Sequence, residues 1–145
     1  AADLMPEPRY AGIVNGTVAT LEQIGSYNQA QIDQSGTQQQ LTHTQNGSYN
    51  KAAITQSGAY NQANVLQVGQ NNDVQLQQAG SYNQADIAQT GDRNQAIVIQ
   101  NGAYNQAFVS QYGQGNEAVV SQSGVGGVAN VSQHGDNMRA SVVQW

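Results

Sequence analysis

Gly80-Ser81-Tyr82-Asn83-Gln84-Ala85-Asp86-Ile87-Ala88-Gln89-Thr90 is one unit of a repeat, and the unit decides the fold. Residues 25–145 divide without remainder into eleven blocks of eleven residues, with no insertion in any of them. The blocks start at Gly25, Gly36, Gly47, Gly58, Gly69, Gly80, Gly91, Gly102, Gly113, Gly124 and Gly135, and each approximates Gly-x-x-Asn-x-Ala-x-Ile/Val-x-Gln-x. Self-similarity at a fixed period marks an architecture of stacked units.

The tenth position is glutamine throughout: Gln34, Gln45, Gln56, Gln67, Gln78, Gln89, Gln100, Gln111, Gln122, Gln133 and Gln144. The fourth is asparagine at Asn28, Asn50, Asn61, Asn72, Asn83, Asn94, Asn105 and Asn116, and is replaced by Gln39, Gly127 and Met138. The sixth and eighth positions are apolar: Ala30 and Ile32, Ala52 and Ile54, Ala63 and Val65, Val74 and Leu76, Ala85 and Ile87, Ala96 and Val98, Ala107 and Val109, Ala118 and Val120, Ala129 and Val131, Ala140 and Val142. Leu41 and His43 depart from the pattern in one block. A weak unit over residues 14–24 places Ala19, Leu21 and Gln23 in the same phases, without the glycine or the asparagine. Residues 1–13 show no repeat, hold both prolines (Pro6 and Pro8), and are expected to form a flexible N-terminal segment before a solenoid over 14–145.

The recurring residues are two apart, so they share one face of a strand. An eleven-residue helical repeat is the rival reading, because it supports a right-handed coiled coil. It fails because residues two apart do not share a helix face, and a glycine inside each unit would cost a helix about 1 kcal/mol. The expected strand covers positions four to ten; position eleven and the next Gly-x-x form the turn, with the glycine at positive φ. Charge placement tests this register: Asp33, Lys51, Asp73, Asp86, Asp92, Arg93, Glu117, Asp136 and Arg139 all avoid positions four, six, eight and ten. Buried unpaired charge is expensive, so the avoided face points inward.

A lone strand is not stable. Two blocks can close a flat coil of strand, turn, strand and turn, with small alanine set beside larger Ile or Val so that facing strands interdigitate about 10 Å apart. The fold class is therefore all-β: a β-solenoid, or β-helix, of about six 22-residue coils with amyloid-like cross-β geometry, stacked about 4.7–4.9 Å apart over a length of roughly 30 Å. Stacking also accounts for the polar interior. Each inward amide lies over an identical amide and can bond along the stack, as in a steric zipper. The ladders punish a one-residue slip, which would turn every glutamine to the wrong face.

Composition narrows the function classes. Gln and Asn make up 40 of 145 residues, and only 9% of the chain is charged. A net charge of −5 with four Lys and Arg leaves no basic face for nucleic acid. Without cysteine there are no disulfides and no thiolate metal sites. No apolar run reaches the length of a membrane span. Neither His43 nor His134 has a carboxylate cluster at ligand spacing, and Asp73, Asp86, Asp92 and Asp136 fall in different phases, so no metal, cofactor or catalytic residue is expected.

Several surface features keep two readings. Tyr27, Tyr49, Tyr60, Tyr82 and Tyr104 occupy position three, either as packing at the arc or as an exposed stack that binds flat molecules or surfaces. Leu66, Ile97, Ile99, Phe108 and Val119 on the alternate face are either lateral contacts between filaments or scattered surface apolars. An ice-binding solenoid would need a regular outward Thr array, but Thr42, Thr44 and Thr55 are irregular. A carbohydrate-processing β-helix would need insertions carrying carboxylates, and a monomeric binding module would need a cap; neither pattern is present.

The units at residues 58–67, 80–89 and 102–111 resemble the curlin repeat, Asn-x-Ala-x-Ile/Val-x-Gln-x-Gly, and the likeness extends over about 14–145. The resemblance implies a non-enzymatic subunit of curli, the secreted amyloid fibres of the bacterial biofilm matrix. It implies a homopolymer at the cell surface, accompanied by a second curlin subunit and by secretion and chaperone proteins. The Gln144-Trp145 ending and the low basic content are similar to the major subunit; the strict 22-residue coil is closer to the minor subunit that nucleates fibres at the outer membrane. Residues 1–13 take the position of the family's secretion-directing segment. With the repeat running to Trp145, both end coils are expected to expose unpaired strand edges that template further molecules head to tail.

Overall fold

The computed structural model describes residues 17–145. The segment over residues 1–13 and the start of the unit over 14–24 lie outside the described residues. Twelve strands follow one another: β1 (Val18–Ser26), β2 (Gln29–Thr37), β3 (Gln40–Ser48), β4 (Lys51–Ala59), β5 (Gln62–Gln70), β6 (Asp73–Ser81), β7 (Gln84–Asp92), β8 (Gln95–Ala103), β9 (Gln106–Gln114), β10 (Glu117–Val125), β11 (Val128–His134) and β12 (Arg139–Gln144). Odd strands form one six-stranded sheet, in the order β1-β3-β5-β7-β9-β11. Even strands form the other, β2 to β12 in the same progression. Every pair is parallel and in register at a spacing of 22 residues, as in Ala63↔Ala85 and Gln67↔Gln89. The chain is a β-solenoid of about six turns.

The register follows from chemistry on the inward face. Ala sits on Ala, Ile or Val on its like, and Gln on Gln, so a shift of any strand breaks all three stacks at once. The resulting core runs the length of the molecule, from Ile32 and Leu41 to Ala129 and Val131. Ala63, Val74, Ala85, Ala96, Val98, Ala107, Ala118 and Val120 have no exposed surface. At the two ends Ala19, Leu21, Ala140 and Val142 pack against the same core but are only partly buried.

The turns are tighter than the expected four-residue arcs. Strands extend from position five through position two of the next unit, so ten of the eleven glycines assigned to turns lie inside strands: Gly25, Gly36, Gly47, Gly58, Gly69, Gly80, Gly91, Gly102, Gly113 and Gly124. Gly135 falls just beyond β11. The direction change sits instead at positions three and four, where Tyr27, Tyr49, Tyr60, Tyr82 and Tyr104 take left-handed φ values of 58–61°. Inward position ten and the next inward position four are an odd number of residues apart. Strict alternation would turn the asparagine out, and one left-handed residue restores its inward direction. Pairing does not lapse at the corner: Tyr49 N–H donates to Ser26 C=O at 3.0 Å, and Gln29 N–H to Asn50 C=O at 2.8 Å.

From Gly25 to Gly113 the repeat glycines remain obligatory for a different reason. Gly80 has a φ of 113°, and a Cβ there would stand 1.9 Å from the carbonyl oxygen of Gly102 in the next coil. Glycine is needed because successive coils approach backbone to backbone at this point.

Candidate functional site

The position-ten glutamines form two continuous ladders, one within each sheet. In the even sheet Gln34 Nε2 donates to Gln56 Oε1 at 2.6 Å, Gln56 to Gln78 at 2.7 Å, Gln78 to Gln100 at 2.8 Å, Gln100 to Gln122 at 3.0 Å and Gln122 to Gln144 at 2.8 Å. In the odd sheet the chain of bonds passes from Gln23 through Gln45, Gln67, Gln89 and Gln111 to Gln133. Each Nε2 from Gln34 onward spends its second N–H on a backbone carbonyl of the opposite sheet: Gln45 on Gln29 C=O at 2.9 Å, Gln78 on Gln62 C=O at 3.0 Å. One side chain thus ties coil to coil and sheet to sheet.

The ladders have a direction. A backbone carbonyl only accepts, so the amide group facing it has to be the NH₂ and not the oxygen. The second N–H then points along the axis toward the C-terminal coil. Gln133 and Gln144 keep their carbonyl bonds, to Glu117 and Val128, and present N–H groups at one end of the stack. At the other end Gln23 and Gln34 present Oε1.

Replacing Gln78 by alanine removes three bonds and strands Gln56 N–H, Gln100 Oε1 and Gln62 C=O inside the core. Each stranded group costs about 1–3 kcal/mol. Gln78→Ala is expected to destabilise the solenoid by more than about 3 kcal/mol in equilibrium denaturation, while Gln77→Ala on the exposed face changes stability by less than about 0.5 kcal/mol.

The asparagines are buried and stacked in register, but they do not bond to one another side chain to side chain. Asn28 Oδ1 accepts from Asn50 N–H at 3.1 Å, and Asn50 Oδ1 from Asn72 N–H at 3.2 Å. Asn61 Nδ2 donates to Ser57 C=O at 2.9 Å and to Gly80 C=O at 3.2 Å. The same pattern recurs at Asn72, Asn83, Asn94, Asn105 and Asn116. Asparagine is a corner clamp on backbone groups, because its short side chain holds the amide against the bend itself. Gln39 takes this place once. Its Nε2 still reaches Ser35 C=O and Gly58 C=O, yet its buried Oε1 has no partner. The extra methylene moves the oxygen off the backbone N–H it should meet. Gln39→Asn is expected to stabilise the protein by about 1 kcal/mol; a loss of stability on denaturation would contradict this.

His43 and Leu41 complete the same block. Both are buried, and Leu41 belongs to the core although it departs from the repeat. Neither ring nitrogen of His43 has a hydrogen-bond partner. Burial lowers its pKa from 6.5 to about 4, and the neighbouring Gln45 side chain opposes this less strongly. Burial likewise raises the Asp73 carboxyl, against the attraction of Lys51. Among the described residues no group of three His, Cys, Asp or Glu could hold a metal ion. No helix among them is long and apolar enough to cross a membrane.

On the outer surface the rings of Tyr27 and Tyr49 stack 5.0 Å apart, Tyr60 and Tyr82 4.8 Å apart, and Tyr82 and Tyr104 4.9 Å apart. The sheets separate the alternate-face apolars: Leu66 and Phe108 lie on the odd sheet, and Ile97, Ile99 and Val119 on the even one. Leu66 and Ile99 are exposed, the other three half-buried. They do not form one stripe.

The glutamines and inward apolars of the four middle coils are fully buried, whereas Ala30, Gln34, Ala140, Val142 and Gln144 in the end coils are half-buried. Among the described residues the stack runs from β1 and β2 at one end to β11 and β12 at the other.

No curated protein matches the chain. The family model of the curlin associated repeat matches it three times, over residues 69–102, 80–113 and 91–124. The matched stretches advance by one eleven-residue unit, in the phase of the ladders, and the register of β5 to β10 continues through the coils on either side. Residues 69–124 match the curlin associated repeat, and the chain carries that repeat within its β-solenoid.

Proposed function

We propose that the protein polymerises head to tail into an extracellular fibre of the biofilm matrix, with the β11–β12 coil of one molecule templating the β1–β2 coil of the next. The observation that carries this reading is the match between the two end coils of the described stack. Ala129, Val131 and Gln133 of β11 have the phases of Ala19, Leu21 and Gln23 of β1; Ala140, Val142 and Gln144 of β12 have those of Ala30, Ile32 and Gln34 of β2. The ladder N–H groups of Gln133 and Gln144 meet the free Oε1 atoms of Gln23 and Gln34 in that orientation. Head-to-head contact would set oxygen against oxygen. A heterologous contact that does not close makes a filament, and the half-buried end-coil residues gain cover from it.

The role is that of the main structural subunit, supported by the low basic content. Partners are further copies of the same chain, together with a second curlin subunit and export proteins. Purified protein should assemble with concentration-dependent kinetics, and aligned fibres should give a meridional reflection near 4.7–4.8 Å and an equatorial one near 10 Å. A protein that stays monomeric above micromolar concentration, or a pattern lacking the meridional reflection, overturns the proposal. Acceleration of another curlin at substoichiometric amounts without self-assembly would assign it the nucleating role instead.

A further inference from the structure

The corners after the even strands carry Gln38, Tyr60, Tyr82, Tyr104 and Gly126. Three of these are phenols in an unbroken stack, with interplanar angles of 0–1°. Left-handed φ at this position suits asparagine or glycine: Gly126 occupies it on this edge, and Asn71, Asn137 and Gly115 occupy it on the other. Tyrosine costs more there, about 1–2 kcal/mol; ring stacking of about 0.5–1.5 kcal/mol per pair offsets part of that cost. Phenylalanine would stack equally well. The hydroxyl is left over: no described residue hydrogen-bonds it, and the three rings remain 45–57% exposed. The flanking position-two residues on this edge are Ala59, Ser81 and Ala103, small and uncharged, so nothing screens the phenols. The opposite edge carries Asp92, Arg93 and Asp136.

We infer that this stack is a site of oxidative cross-linking, in which neighbouring tyrosines of successive coils join as dityrosine. The oxidant is a haem peroxidase charged with hydrogen peroxide. Each of two phenols gives up one electron and its hydroxyl proton, and one peroxide is reduced to two waters. The two phenoxyl radicals couple through the ring carbons ortho to oxygen. The hydrogens on those carbons then pass to the oxygens, restoring two aromatic rings and two hydroxyls. Closing a gap of 4.8–4.9 Å needs only rotation of exposed side chains, which takes picoseconds to nanoseconds. The fold holds the partners adjacent, so coupling within the molecule outruns encounter between molecules. Tyr27 and Tyr49 make a second, two-ring site. Tyr112 has none, since its ladder neighbours are Thr90 and His134.

The test is peroxidase and hydrogen peroxide treatment of folded and of denatured protein, followed by trypsin and mass spectrometry. A Tyr82–Tyr104 bond joins the peptides divided at Arg93, and a Tyr60–Tyr82 bond closes a ring within one of them. Folded protein should lose two hydrogens per link while remaining a single chain on a denaturing gel, with links among the described tyrosines confined to Tyr60–Tyr82, Tyr82–Tyr104 and Tyr27–Tyr49. Tyr82→Phe keeps the ring and should abolish the first two links while leaving the third. The inference is overturned if folded and denatured protein give the same distribution, if links form mainly between molecules or at Tyr112, or if the tyrosines oxidise without dityrosine.

Discussion

His43→Val is expected to remove the histidine's share of the solenoid's sensitivity to mild acid. The native ring occupies an inward position between Leu21 and Val65 of the adjoining strands. The facing strands β2 and β4 present Ala30, Ile32, Ala52 and Ile54, none of which can receive a charge. Folded His43 therefore binds a proton only near pH 4, while the unfolded chain binds one near its usual 6.5. Between those values the unfolded state holds more protons, so stability falls as pH falls. The contribution is intact above about pH 6.5 and is lost progressively down to about pH 4, a swing of about 3 kcal/mol. Valine removes the swing. It also removes two partnerless ring nitrogens, adding about 1–3 kcal/mol at neutral pH. Denaturation midpoints of both proteins at pH 7 and pH 4 measure the difference, which cancels the carboxylates common to both. Parallel loss of stability in the two proteins would show that the histidine does not carry the effect.

Gly80→Ala is expected to break the stack between the third and fourth coils. The new methyl carbon meets the Gly102 carbonyl oxygen at 1.9 Å, and both partners are backbone, so no rotamer change relieves the clash. The φ of 113° is closed to alanine in any case. Loss should exceed about 4 kcal/mol, in the range reserved for broken backbone or core arrangements. Gly126→Ala supplies the control, because a Cβ there meets nothing within 4 Å. Its left-handed φ alone costs about 1–2 kcal/mol. Equal effects at the two sites would mean that conformational freedom, and not coil-to-coil approach, explains the repeated glycine.

These two expectations bracket the weak and strong parts of the solenoid. The coil around β3 and β4 combines Gln39 with a partnerless oxygen, Leu41 in place of the usual alanine and a buried neutral histidine. The coils from β5 to β10 keep the pattern apart from Val74 in place of the usual alanine, and they coincide with the stretch matched by the curlin repeat. Elongation and breakage both act on backbone edges, so strain near one end bears on how readily that end accepts a partner. Assembly of His43→Val below pH 5 should consequently be less inhibited than that of the parent protein, read from elongation rates on preformed fibres.

Periodicity alone determined a good deal about this protein. A spacing of two within a period of eleven settled strand against helix, and the avoidance of four phases by every charge from Gly25 onward settled which face points inward. Alternation is a local property of extended backbone, so it is legible without knowing any contact. Three things depended on the tertiary structure. The bend lies at position three and not at the glycine, because odd residue spacing between inward positions demands one left-handed residue, and the glycine is demanded by the neighbouring coil. Asparagine and glutamine, alike in composition, do different work: the amide at position four clamps its own corner, and the amide at position ten reaches the opposite sheet. The burial of Gln39, Leu41 and His43 likewise follows from stacking, since a residue that breaks the repeat is carried inward by the 22-residue register of the strands on either side.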